Sequence, residues 1–63
     1  MPTDKEFKLF WSTLYGKAWT KVDIAHLQDE LKEKYNLWSW SDITDDQMTE
    51  VLEYVKSLPR KND

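Results

Sequence analysis

Lys17-Ala18-Trp19-Thr20-Lys21 interleaves two ammonium groups with an indole, and Lys5 and Lys8 add two more cations upstream. Lysines around an aromatic ring are the chemistry of a single-stranded nucleic-acid groove. The cations track phosphates, and the ring offers a stacking face worth about 1–3 kcal/mol per base. The plainer use of Trp19 is a buried staple, with the lysines merely solvated. A second candidate is Trp38 with Trp40. Alternate residues share a side in an extended segment but diverge in a helical turn, so at most one of these indoles need be buried. An unburied tryptophan can anchor a peptide or a base. The third feature is an acidic belt: Asp29, Glu30 and Glu33 with Asp42, Asp45, Asp46, Glu50 and Glu53. It reads as a solvated face that either docks a basic partner or repels nucleic acid.

Catalytic chemistry does not assemble from this sequence. His26 is the single histidine and there is no cysteine. Asp23, Asp29 and Glu30 are its nearest acids, and His26 reads as a surface residue rather than a metal ligand or general base. Ser12, Ser39, Ser41 and Ser57 lack a local base and suit capping or solvent positions. Asp45-Asp46 is a helix-start pair, favoured by the positive end of the helix dipole. One glycine cannot build a phosphate-cradling loop. The expectation is a non-enzyme with no cofactor, no metal and no small-molecule substrate.

Size and charge narrow the classes further. Sixty-three residues make one domain, and a chain this short buries only about 60% of its unfolded surface. Four Trp, three Tyr and two Phe compensate, because each large ring buries roughly 150–250 Å². No apolar run reaches the ~20 residues of a membrane span, and no leader-like stretch opens the chain. A soluble, cytoplasmic protein is expected. The net charge is −3 but unevenly spread. Met1 to Lys21 carries +2, Val22 to Leu58 carries −6, and Pro59 to Asp63 carries +1. An acidic chain is a poor nonspecific binder of duplex DNA, so phosphate contacts would fall to the first third or the tail.

The elements that must position these groups are helical. Thr3 with Glu6, Thr20 with Asp23, and Thr44 with Gln47 are three capping boxes. Trp19 can staple onto Ile24, and Ile43 onto Met48. Behind the caps run three apolar stripes at helical spacing. They are Phe7, Phe10, Trp11 and Leu14; Ile24, Leu27, Leu31 and Tyr35, with Ala25 or Gln28 at the margin; and Met48, Val51, Leu52, Val55 and Leu58. Gly16 stands where a left-handed residue would end the first helix, and Asn36 caps the second. Pro59 stops the third. A single helical turn is expected at Trp40 to Asp42, with Leu37, Trp38 or Trp40, and Ile43 lidding the bundle. The spacing thus predicts a compact all-α, three-helix domain, with helices at about 4–15, 21–35 and 45–58 and a flexible tail over 60–63.

One further pattern is carried by particular residues. The helix Thr3 to Tyr15, the glycine connection, Lys34-Tyr35-Asn36, Ser39-Trp40-Ser41-Asp42-Ile43-Thr44, and Gln47 to Tyr54-Val55 follow one another in order. Together they resemble a small module of bacteriophage proteins. It is similar to the C-terminal helical domains of phage single-strand annealing proteins of the Erf and Red-beta kind, to Mu-type GemA regulators, and to C-terminal modules of phage antirepressors. The resemblance spans about Asp4 to Leu58. It implies a role around phage or mobile-element DNA, in recombination, replication or regulation. It also implies an accessory that touches DNA or recruits a nuclease or a single-strand-binding protein, with no catalytic residues.

Three functions follow as expectations. The first is a nucleic-acid-binding accessory favouring single-stranded DNA through Lys5, Lys8, Lys17, Trp19 and Lys21. The second is a protein-recruitment module without DNA contact, using Trp38, Trp40 and the groove between helices, with a single-strand-binding protein's acidic tail or a nuclease as partner. The third is a plain structural domain, or an inhibitor whose acidic surface mimics DNA.

Overall fold

The three capping boxes all close. Thr3, Thr20 and Thr44 each accept a bond from the backbone N–H three residues on, at 3.3, 3.2 and 3.2 Å. Glu6, Asp23 and Gln47 reach back to the cap N–H groups at 3.1, 3.0 and 3.0 Å. In the computed structural model, which describes residues 1–61, these caps open α1 (Asp4–Tyr15), α2 (Lys21–Lys34) and α3 (Asp45–Ser57). A single 3-10 turn, Trp40–Asp42, precedes α3. Ser39 N donates to Asp42 Oδ2 at 3.0 Å and fixes that turn. The chain is a compact all-α, three-helix domain with a Cα radius of gyration of 11.2 Å.

The apolar stripes meet in one core. Phe10, Leu14, Ile24, Leu27, Leu31, Ile43, Met48, Val51 and Val55 are buried, and Phe7, Trp11, Trp19, Tyr35, Leu37, Trp40, Leu52 and Leu58 pack around them. Phe10 is the hub for the rings: Trp40 lies 4.9 Å from it and Trp11 meets it edge-on at 6.3 Å. The two indoles part, Trp40 opening the turn and Trp38 lying in the segment before it. Trp40 joins the core, while Trp38 stands 93% exposed. Gln28 is half-buried at the margin of α2 and Ala25 is exposed.

Two helix ends differ in their chemistry. Asn36 takes the left-handed conformation, φ 55°, and Leu37 N donates back to Lys32 O at 2.8 Å, closing α2. Gly16 does not play that part after α1. It stays right-handed at φ −64°, ψ −17°, and the left-handed residue is Ala18 at φ 63°. The helix runs on by one turn of backbone bonds, Lys17 N and Trp19 N both donating to Leu14 O at 3.0 and 3.1 Å. Gly16 is instead favoured by space, because a Cβ there would stand 3.3 Å from Ser12 O. A left-handed alanine costs about 1–2 kcal/mol. Its neighbours' bonds hold it there, and the result is that Trp19 is turned back over the bundle.

The direction of the helices decides which charges meet. The N-terminal amine pairs with Asp45 at 3.5 Å, so α1 and α3 begin at the same end. Lys17 Nζ donates to Lys56 O at 2.8 Å and to Leu58 O, so the two helices also finish together. α2 starts at that second end, and the 3-10 turn returns the chain to the first. No helix among the described residues is long and apolar enough to cross a membrane.

Candidate nucleic-acid interface

The end where α1 and α3 finish is a basic pole built around Trp19. Ala18's left-handed turn lays the indole half-buried against the core, and its Nε1 donates to Pro59 O at 3.1 Å. The tail is stitched to the α1–α2 connection: Lys61 N donates to Lys17 O at 2.8 Å and Arg60 Nη1 to Gly16 O at 3.1 Å. Lys61 Nζ then stands 4.5 Å from the centre of the Trp19 ring, a cation–π contact. Arg60 and Lys61, in the tail expected to be flexible, hydrogen-bond carbonyls that the α1–α2 connection leaves open. Residues 62 and 63, the rest of that tail, lie outside the described residues.

The pole gathers Lys17, Lys21, Lys56, Arg60 and Lys61. Lys17 serves a structural end as well, since its ammonium satisfies carbonyls at the C-terminus of α3. Carbonyl oxygens hold an ammonium without cancelling its unit charge, so the positive potential survives. Lys5 and Lys8 are exposed but sit in the first two turns of α1. At 1.5 Å rise per residue they lie roughly 12–16 Å along the axis from Gly16, outside this cluster. Arg60 and Lys61 come from the tail, which the charge distribution leaves open to phosphates without naming these residues, and Lys56 comes from the last turn of α3. No local motif signals the grouping, because the pairing joins residues about forty positions apart.

Beside the pole lies a groove of about 290 Å³, lined by Trp19, Asp23, His26, Leu27, Glu30, Tyr54 and Lys61. Asp23 is the best-fixed group in it. The backbone N–H of Thr20 and then its hydroxyl, with help from the Lys61 and His26 charges, hold the carboxyl below its ordinary 3.8. The stability this cap contributes is therefore present above that ordinary value and lost as pH falls through the lowered one. At neutral pH Asp23 is a carboxylate. Lys34 Nζ stands 5.4 Å from the Tyr35 ring and 6.0 Å from the ring of Tyr54, one of the lining residues.

The opposite pole is acidic. Asp42, Asp45 and Asp46 line a shallow depression of about 420 Å³ with Met1, Ile43 and Thr44. Trp38 projects from the segment leading into it. Trp40's ring is spent on Phe10, and its buried Nε1 has no hydrogen-bond partner among the described residues. Of the two tryptophans expected to bind a partner, only Trp38 thus offers its ring to solvent.

No protein-family model, curated protein or solved structure matches this chain.

Proposed function

We propose that this chain is a small non-catalytic nucleic-acid-binding accessory module that favours single-stranded DNA and holds the strand at its basic pole. The observation that carries the reading is a half-buried indole with the Lys61 ammonium over its ring and the Lys17 and Arg60 cations bonded at the same end, in a chain whose net charge is −3. Phosphates are drawn to that pole and repelled by Asp42, Asp45 and Asp46 at the other, which orients the strand. Stacking on Trp19 needs an unpaired base, which favours single strands over duplex. The setting of phage or mobile-element recombination and replication rests on the motif resemblance alone.

Titrating oligo-thymidine at low salt should quench indole fluorescence, and Trp19→Phe should remove most of that change. With three or four phosphates neutralised, the log–log salt slope should lie at about −2 to −3. Unchanged fluorescence at high oligonucleotide concentration and low salt would end the reading.

The exposure of Trp38, at 93%, favours a second role, recruitment of a DNA-processing protein such as a nuclease or a single-strand-binding protein. Exposed tryptophans are common binding anchors. Affinity capture from phage-infected bacterial lysate should recover a protein that Trp38→Ala loses. Equal recovery by both forms, or recovery of nucleic acid only, would count against this role.

A further inference from the structure

We infer that the groove between α2 and α3 is a nucleobase pocket that prefers bases presenting N–H edges, guanine above all, and that Lys61 covers it until a strand arrives. This rests on the single-strand reading above and names what that strand inserts.

The groove has the parts of a base site. Trp19 and Tyr54 bring two aromatic rings to its lining, and the buried Leu27 adds an apolar side chain. Polar groups line it at one helical face, since Asp23, His26, Leu27 and Glu30 follow at spacings of three, one and three along α2. Two of these groups are carboxylates, which accept hydrogen bonds and donate none. Asp23 commits Oδ2 to Thr20 N. At neutral pH it is a carboxylate.

Acceptor-only walls discriminate among bases. Guanine presents two parallel donors, N1–H and an N2 hydrogen, which match the two oxygens of one carboxylate. Cytosine and adenine present one exocyclic amine each. Thymine presents a single N–H flanked by two carbonyl oxygens, which a carboxylate repels.

Lys61 occupies the place where the base would stack, 4.5 Å over the Trp19 ring and close enough to Asp23 to lower its pKa. An entering base takes the ring face, and the displaced ammonium has a phosphate to pair with at the same pole. Lys34, 6.0 Å from the Tyr54 ring, stands ready for a neighbouring phosphate. The cation is a cover that becomes a contact.

The experiment uses the full chain and labelled thymidine oligonucleotides carrying guanine, inosine or thymine at one central position, read by fluorescence anisotropy. The guanine strand should bind about tenfold tighter than the all-thymine strand, with inosine, which lacks the N2 amine, between them. Glu30→Gln, with helicity checked by circular dichroism, should bring the guanine-to-thymine ratio within about twofold of one. Equal affinity for guanine and thymine strands would overturn the pocket while leaving the single-strand reading in place. No binding of any oligonucleotide would overturn both. Tight binding of an oligolysine peptide, with no base preference among the strands, would assign the groove to a cationic side chain instead.

Discussion

Phe10→Ala should cost about 3–5 kcal/mol, a large share of the chain's stability. Phe10 is fully buried and joins α1 to the 3-10 turn through Trp40 at 4.9 Å, and it carries the edge of Trp11 as well. Removing the ring opens a cavity that two large neighbours cannot collapse into without leaving their rotamers. At about 0.05–0.15 kcal/mol per residue, a domain of this length has roughly 3–9 kcal/mol of stability in total. Urea unfolding followed by near-ultraviolet circular dichroism should show the midpoint collapse towards zero denaturant. A midpoint within a few tenths molar of the parent would mean that the ring cluster does not hold the bundle.

Lys17→Met should cost about 1.5–3 kcal/mol, the range for hydrogen bonds to a charged donor. Methionine keeps the apolar stem but withdraws the ammonium from Lys56 O and Leu58 O. That leaves carbonyls at the end of α3 to water and loosens the joint between the ends of α1 and α3. The same change should make amide exchange faster at Leu58 and Lys61 than in the centre of α3. A stability loss below about 0.5 kcal/mol, with exchange unaltered, would reduce Lys17 to a surface cation.

The sequence makes the local devices easy to read because each involves residues three or four apart. Three Thr-x-x-Glu/Asp/Gln boxes, Asn36 at the end of α2, the turn at Trp40–Asp42 and the apolar stripes are all local chemistry, and all form. The end of α1 is where local reading fails. Glycine is the common left-handed residue, yet Ala18 takes that role, because the helix continues one bonded turn past Gly16 before it reverses. The candidate interface is half legible for the same reason. Lys17, Trp19 and Lys21 are neighbours in the chain and remain neighbours in space. Arg60 and Lys61 join them only through bonds to Gly16 O and Lys17 O across more than forty residues. Lys5 and Lys8 share the charge but sit at the other end of α1. Trp38 and Trp40 part because the 3-10 turn begins at Trp40, so Trp40 is carried into the core while Trp38 stays in the segment before it.

Everything about the proposed role depends on positive charge being concentrated at one end of an acidic molecule. The most direct test measures single-strand affinity for two charge reversals placed at opposite ends of α1, by anisotropy at low and moderate salt. Lys21→Glu with Lys61→Glu should weaken oligo-thymidine binding at least tenfold and flatten the salt slope by about 1.4, two contacts at roughly 0.7 each. Lys5→Glu with Lys8→Glu, equal in net charge change, should weaken it by less than about threefold. Equal losses from the two pairs, or a larger loss from the second, would contradict the account.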